Sequence, residues 1–218
     1  MMPDRPRTPA QAWAALVAGN ERFVTGRMAH PSQDAAHRAD LRHDQHPFAV
    51  VFGCSDSRVA AEIVFDEGLG DLFVVRTAGH VLDSTVIGSI EYGVEVLDSP
   101  LVVVLGHDTC GAVAAAARTL AEGSPSPGFV RAVVDRVIPS IVGLTAAGRP
   151  LSSYSAEDLG HEHVRATARM LPAYSAPLAR RIEEGRCAIV AAEYTLADGR
   201  VRLTEVLGDV REDGPHER

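Results

Sequence analysis

Lysine is absent from this chain: all 21 basic side chains among its 218 residues are arginine. That excludes a lysine nucleophile, a lysine Schiff base and the lysine of a phosphate-binding P-loop. No Gly-x-Gly-x-x-Gly follows an apolar run, so the dinucleotide-binding fingerprint is missing as well. An arginine six positions after Cys54 would suggest a cysteine phosphatase loop, but that position is Ala60. No apolar run approaches the ~18–20 residues of a membrane span. Residues 1–8 carry charge and prolines with no apolar core after them, which reads as no secretory signal and makes the cytoplasm the expected compartment. Cysteine is scarce and odd in number, with only Cys54, Cys110 and Cys187. Such a set builds no disulfide framework and points to metal binding or catalysis instead. The 29 acidic residues leave a net charge of −8, which suits neither nucleic acid nor an anionic membrane surface as a partner.

Hydrophobic residues make up 46% of the chain, enough for a packed core, and the length fits one domain. Residues 1–218 read as a single domain, with 1–8 and 209–218 as flexible ends. Thr8 can cap a helix over 9–18, with Gly19-Asn20 as its stop. Ser32 can cap a second helix to about residue 43. Apolar, β-branched runs at 48–52, 72–75, 101–105 and 187–196 predict strands, three of them buried on both faces. Helices are expected over 59–65, 84–97, 110–120, 129–146 and 156–184, the last broken near Pro172. Asp198-Gly199 marks a hairpin turn before a short strand at 201–206. The alternation predicts an α/β fold: a central, mostly parallel sheet flanked by helices, with one antiparallel edge strand.

Three residues converge on this pattern. Cys54 ends the first strand, His107 follows the third, and Cys110 stands three positions later at a helix start. Ligands of a parallel sheet gather at the carboxyl ends of its strands. If the two strands are neighbours, two sulfurs and an imidazole meet there, a set that suits Zn²⁺. A Cys54–Cys110 disulfide is the chemical alternative. Asp56 and Arg58 are two apart in the adjoining loop and can pair. An oriented carboxylate there could accept a hydrogen bond from a metal-bound water, or swing onto the metal as a fourth ligand and shut the site. His161 and His163 look like a metal pair, but residues two apart on a helix face different ways. Cys187 opens a buried strand and reads as core, while Trp13 and Leu16, three apart on the first helix, fit an apolar packing face that a partner chain could cover.

The runs Cys54-Ser-Asp-Ser-Arg58 and His107-Asp-Thr-Cys110-Gly111 resemble the β-class carbonic anhydrases, in the family's order and at similar separation. Gly19-Asn-Glu-Arg-Phe23, Phe73-Val-Val-Arg-Thr-Ala-Gly79 and Ile90-Glu-Tyr92 extend the resemblance to roughly residues 10–208. It implies a zinc enzyme hydrating carbon dioxide to bicarbonate and a proton, with one Zn²⁺ per chain on Cys54, His107 and Cys110. A zinc-bound hydroxide would attack carbon dioxide, oriented by the Asp56–Arg58 dyad. Gln45, Phe73 and Tyr92 match pocket positions of the plant-type members, and Val59 and Gly111 complete the expected pocket. The family is built as a dimer, in some members a tetramer, whose N-terminal helices embrace the partner chain. Gln45, Phe73 and Tyr92 would then serve the neighbouring chain's zinc. Val51 stands where some bacterial members place the tryptophan of a regulatory bicarbonate site. No such site is therefore implied, and Arg76, which matches its arginine, is expected to be structural. The rivals are hydrolysis of a sulfur analogue such as carbon disulfide and a non-catalytic zinc sensor; a sensor would need neither Asp56 nor Arg58.

Overall fold

Strands β1 (Ala49–Cys54), β3 (Leu101–His107) and β4 (Ala188–Tyr194) are almost wholly buried. Continuous runs of valine, alanine and leucine leave these strands no polar face, so both sides must be covered. The molecule is described from a computed structural model covering residues 5–147 and 150–211. With β2 (Leu72–Thr77) and β5 (Val201–Leu207) these strands form one sheet in the order β2-β1-β3-β4-β5. The first four run parallel and β5 is antiparallel to β4.

Alternate residues of the central strands supply two cores. Val51, Val103 and Val190 face Ala12 and Leu16 of α1 (Pro9–Val24), with Val64 of α3 (Ala61–Val64). Phe52, Val104 and Ala191 face α4 (Ser84–Glu91) through Ile90, and α7 (Ala156–Tyr174) and α8 (Ala176–Glu183) through Leu171 and Leu178. Each such side chain contributes ~1.5–3 kcal/mol on burial. A third cluster caps the carboxyl edge of the sheet, where α5 (Gly111–Glu122) and α6 (Val130–Val142) bring Val113, Val134 and Val137 against Cys54 and Cys110.

Several boundaries differ from expectation. Helix α1 is capped by Thr8 as predicted but runs through Gly19-Asn20 to Val24. Those two residues are anchors, not a stop. Asn20 donates to the Val64 and Gly199 carbonyls at 3.0 and 2.8 Å and accepts from Val201 N–H at 2.9 Å. A Cβ on Gly19 would lie 1.7 Å from the Phe65 carbonyl oxygen. Gly19→Ala is therefore expected to destabilise the protein by ~1–3 kcal/mol or more, read from urea unfolding.

Ser32 caps nothing; its φ is +54°, and Asp34 caps the short α2 (Ala35–Asp40). The helix expected over 84–97 ends at Glu91 and widens into a π turn at Tyr92–Val96. Pro172 lies within α7, and the break comes at Ser175, whose hydroxyl caps α8 at Leu178 N–H. The signal overlooked was Ser175-Ala176-Pro177, a cap with proline in the first turn. Of the ends read as flexible, Thr8 accepts from Gln11 N–H and Asp209 pairs with Arg211 at 2.9 Å. Residues 1–4 and 212–218 lie outside the described residues.

Candidate metal centre

Parallel pairing of β1 with β3 sets their carboxyl ends side by side, with Gly53 opposite Leu105. Cys54 and His107 are the last residues of these strands, and Cys110 is the N-cap of α5. Their ligand atoms lie within 4.8 Å of one another, and all three side chains are buried. None of the cysteines forms a disulfide. The two sulfurs compete for a proton: the Cys110 hydrogen bond pulls Cys54 down, and the same contact together with burial pushes Cys110 up. Gly79 N–H also donates to Cys54 Sγ, at 3.2 Å.

His107 is oriented by its other nitrogen. Nδ1 lies 2.8 Å from the Asp108 carbonyl, which can only accept, so Nδ1 carries the proton. Nε2 is then a bare lone pair, buried with no protein hydrogen-bond partner. A buried acceptor in that state is costly unless something meets it. Two sulfurs and an imidazole nitrogen, with a carbonyl fixing the imidazole, fit the three protein ligands of a zinc site.

Asp56 borders this cluster. Its Oδ1 accepts from Arg58 N–H and Nε–H at 3.0 and 2.9 Å, and its Oδ2 accepts from Arg58 Nη2 at 2.7 Å. The Arg58 guanidinium thus holds the Asp56 carboxyl well below the usual carboxylate range. Oδ2 is 3.9 Å from His107 Nε2, too far for a hydrogen bond. Arg76 secures the same loop from β2. It donates to the Cys54 carbonyl at 3.0 Å and to the Asp56 carbonyl at 2.7 Å. It is structural, as expected.

The expected pocket residues are divided. Gly111 opens α5 beside Cys110, and a Cβ there would meet open space. Val59 is 2% exposed and packs into the α1-side core. Gln45 and Tyr92 line a separate groove with Leu41 and Leu97, and Phe73 packs on Tyr92 with ring centroids 6.0 Å apart. This chain does not bring those three to its own ligand cluster. Instead a cleft of about 700 Å³ beside His107 and Cys110 is walled by Val113, Ala117 and Leu159. His161 does not join His163; its Nδ1 pairs with Glu193 at 2.7 Å. Cys187 is core, as expected.

Comparison with known proteins gives a concordant result. Residues 49–201 match the family model described as carbonic anhydrase. "Carbonic anhydrase 2" of Mycobacterium tuberculosis is 53% identical over 205 residues, spanning 94% of this chain and 97% of that protein. Among solved structures, the Coccomyxa β-carbonic anhydrase in complex with acetazolamide superposes with a TM-score of 0.68 at 23% identity, covering 88% of this chain and 87% of that one. A tetrameric β-carbonic anhydrase of Sordaria macrospora gives 0.66 at 21% identity, covering 88% and 95%.

Proposed function

The chain belongs to the β-class carbonic anhydrase family and is a carbonic anhydrase, a lyase catalysing zinc-dependent hydration of carbon dioxide to bicarbonate; we propose that Cys54, His107 and Cys110 hold its zinc and that Asp56, held by Arg58, positions the attacking oxygen. The observation that carries the assignment is the buried Cys54–His107–Cys110 cluster with the Asp56 carboxylate at its border.

Zinc lowers the pKa of a coordinated water, from ~15.7 to ~7 in the three-histidine carbonic anhydrases of unrelated fold, and two thiolates that neutralise the ion should make the drop smaller here. The protein's own part is orientation. Both Asp56 oxygens are engaged by Arg58, so the carboxylate cannot rotate freely. As an ionised group it can only accept, which directs the hydrogen of the attacking water to Asp56 and leaves an oxygen lone pair for carbon dioxide.

The bidentate Arg58 contact favours an open resting state over one in which Asp56 ligates the metal. The rate should rise toward mildly alkaline pH. Asp56 stays ionised throughout, because its pKa is depressed, and so adds no limb of its own. A pH profile of kcat/KM checks this. A shallow single titration is expected, and a steep cooperative collapse below neutral pH would point to the closed state.

The chain is further read as one domain working in a homodimer or tetramer in the cytoplasm, with no nucleic-acid partner. Strand β2 is an apolar sheet edge, and Tyr92 and Val96 beside it are 46% and 63% exposed. Exposed edges and apolar patches of this kind call for a partner. A second copy would explain why Gln45, Phe73 and Tyr92 sit away from their own chain's ligands. Among the described residues no helix is long and apolar enough to cross a membrane. Sedimentation should give at least a dimer at assay concentration; a fully active monomer would remove the partner from the site.

A further inference from the structure

His163 points inward from α7, 1% exposed, while its near neighbour His161 faces Glu193 at the surface. Its Nε2 is 2.7 Å from the Gly79 carbonyl and its Nδ1 is 2.7 Å from the Ser140 hydroxyl on α6. The carbonyl can only accept, so Nε2 carries the proton and Nδ1 is an acceptor facing the Ser140 hydroxyl, whose single hydrogen is shared with the Val137 carbonyl 2.6 Å away. Gly79 is the residue whose N–H donates to Cys54 Sγ. A continuous chain of hydrogen bonds therefore runs from α6 through His163 and Gly79 to a sulfur of the metal cluster.

Gly79 sits in a short 3₁₀ turn, Ala78–His80, directly after β2. Gly79 and His80 both have left-handed backbone, with φ of 66° and 39°. His80 is not glycine, so this conformation is costly and persists only where its surroundings enforce it. Two restraints are visible. A Cβ on Gly79 would lie 2.5 Å from Ala112 Cβ, so α5 packs against the bare glycine. The other restraint is the His163 hydrogen bond, which pins the carbonyl of the same residue. The His80 ring covers His163, with centroids 4.3 Å apart.

From this geometry we infer that His163 is a positioning residue for the Cys54 sulfur, acting through Gly79. It fixes the turn that aims a backbone N–H at the sulfur, and so governs how firmly that sulfur is held toward a metal. A hydrogen bond to a ligand sulfur withdraws negative charge and restricts its direction, as outer partners of metal ligands generally do. The inference rests on the reading of Cys54 as a zinc ligand.

The test is zinc release from the purified holoenzyme into excess chelator, with the thiolate charge-transfer absorption of the Co²⁺-substituted protein as a second readout. His163→Leu should release zinc ~10–100-fold faster and shift the Co²⁺ absorption. His163→Gln, whose amide N–H can reach the Gly79 carbonyl, should stay near wild type. Unchanged release from folded His163→Leu, or equal acceleration in both variants, would overturn the inference, because packing volume and not the hydrogen bond would then be at work. If His163→Leu does not fold, Ser140→Ala decides. It removes the hydroxyl that His163 Nδ1 shares with the Val137 carbonyl, the imidazole's second polar contact, and should speed release several-fold; no change overturns the inference. A wild-type protein that binds no zinc overturns both this inference and the ligand assignment. Bound zinc with unchanged release overturns this inference alone.

Discussion

Cys54→Ser and His107→Ala are each expected to lose zinc and carbon dioxide hydration together. Among the described residues, Cys54, His107 and Cys110 are the whole of the buried donor cluster, with ligand atoms within 4.8 Å of one another. Removing one leaves two protein donors where zinc sites ordinarily have at least three. Without the metal, water returns to a pKa near ~15.7, and activity should fall by ~1,000-fold or more. The serine hydroxyl keeps nearly the volume of the thiol, so the fold should persist. The central strands owe their burial to Val51, Val103 and Val190 and not to the metal. Metal analysis beside a hydration assay reads both effects. Full stoichiometric zinc in either variant would show that the ligand set is wrong.

Asp56→Asn should behave differently: zinc stays and the rate falls. Asp56 lies outside the three proposed ligands, with its nearer oxygen 3.9 Å from His107 Nε2. Asparagine presents one acceptor oxygen and one donor amide, so it cannot accept from both Arg58 Nε–H and Nη2–H as Asp56 does. The amide would face either the guanidinium or the attacking water with a donor where an acceptor is needed. Loss of such an oriented group costs ~100–1,000-fold in kcat/KM. Near-wild-type hydration by the zinc-loaded variant would remove Asp56 from the mechanism. The contrast between the two predictions separates holding the metal from orienting the reaction.

Much of the candidate metal centre was legible because its parts are local. Cys54 and His107 each close a continuous apolar run, and such runs become central parallel strands whose carboxyl ends converge. Asp56 and Arg58 are close enough in sequence to pair without help from the fold. The less legible parts depend on long-range packing. Arg76 reaches the Cys54 and Asp56 carbonyls only because β2 pairs with β1 in the register that sets Arg76 opposite Gly53. His163 finds Gly79 across 84 positions of sequence, and the His161-Glu-His163 spacing hid that role behind an apparent metal motif. Gly19-Asn20 carried the local chemistry of a helix stop, but packing against Phe65 and the β4–β5 turn outweighed it. Gln45, Phe73 and Tyr92 were singled out by resemblance, and in one chain Gln45 and Tyr92 line a groove of their own with Phe73 packed on Tyr92.

The most direct measurement is stopped-flow carbon dioxide hydration by protein of known zinc content, taken as purified, after chelation and after zinc is restored. The rate should be proportional to bound zinc, reach its maximum at one zinc per chain and return when the metal is replaced. Hydration that continues at full rate in zinc-free protein, or that is absent from fully loaded protein at both neutral and mildly alkaline pH, would contradict it.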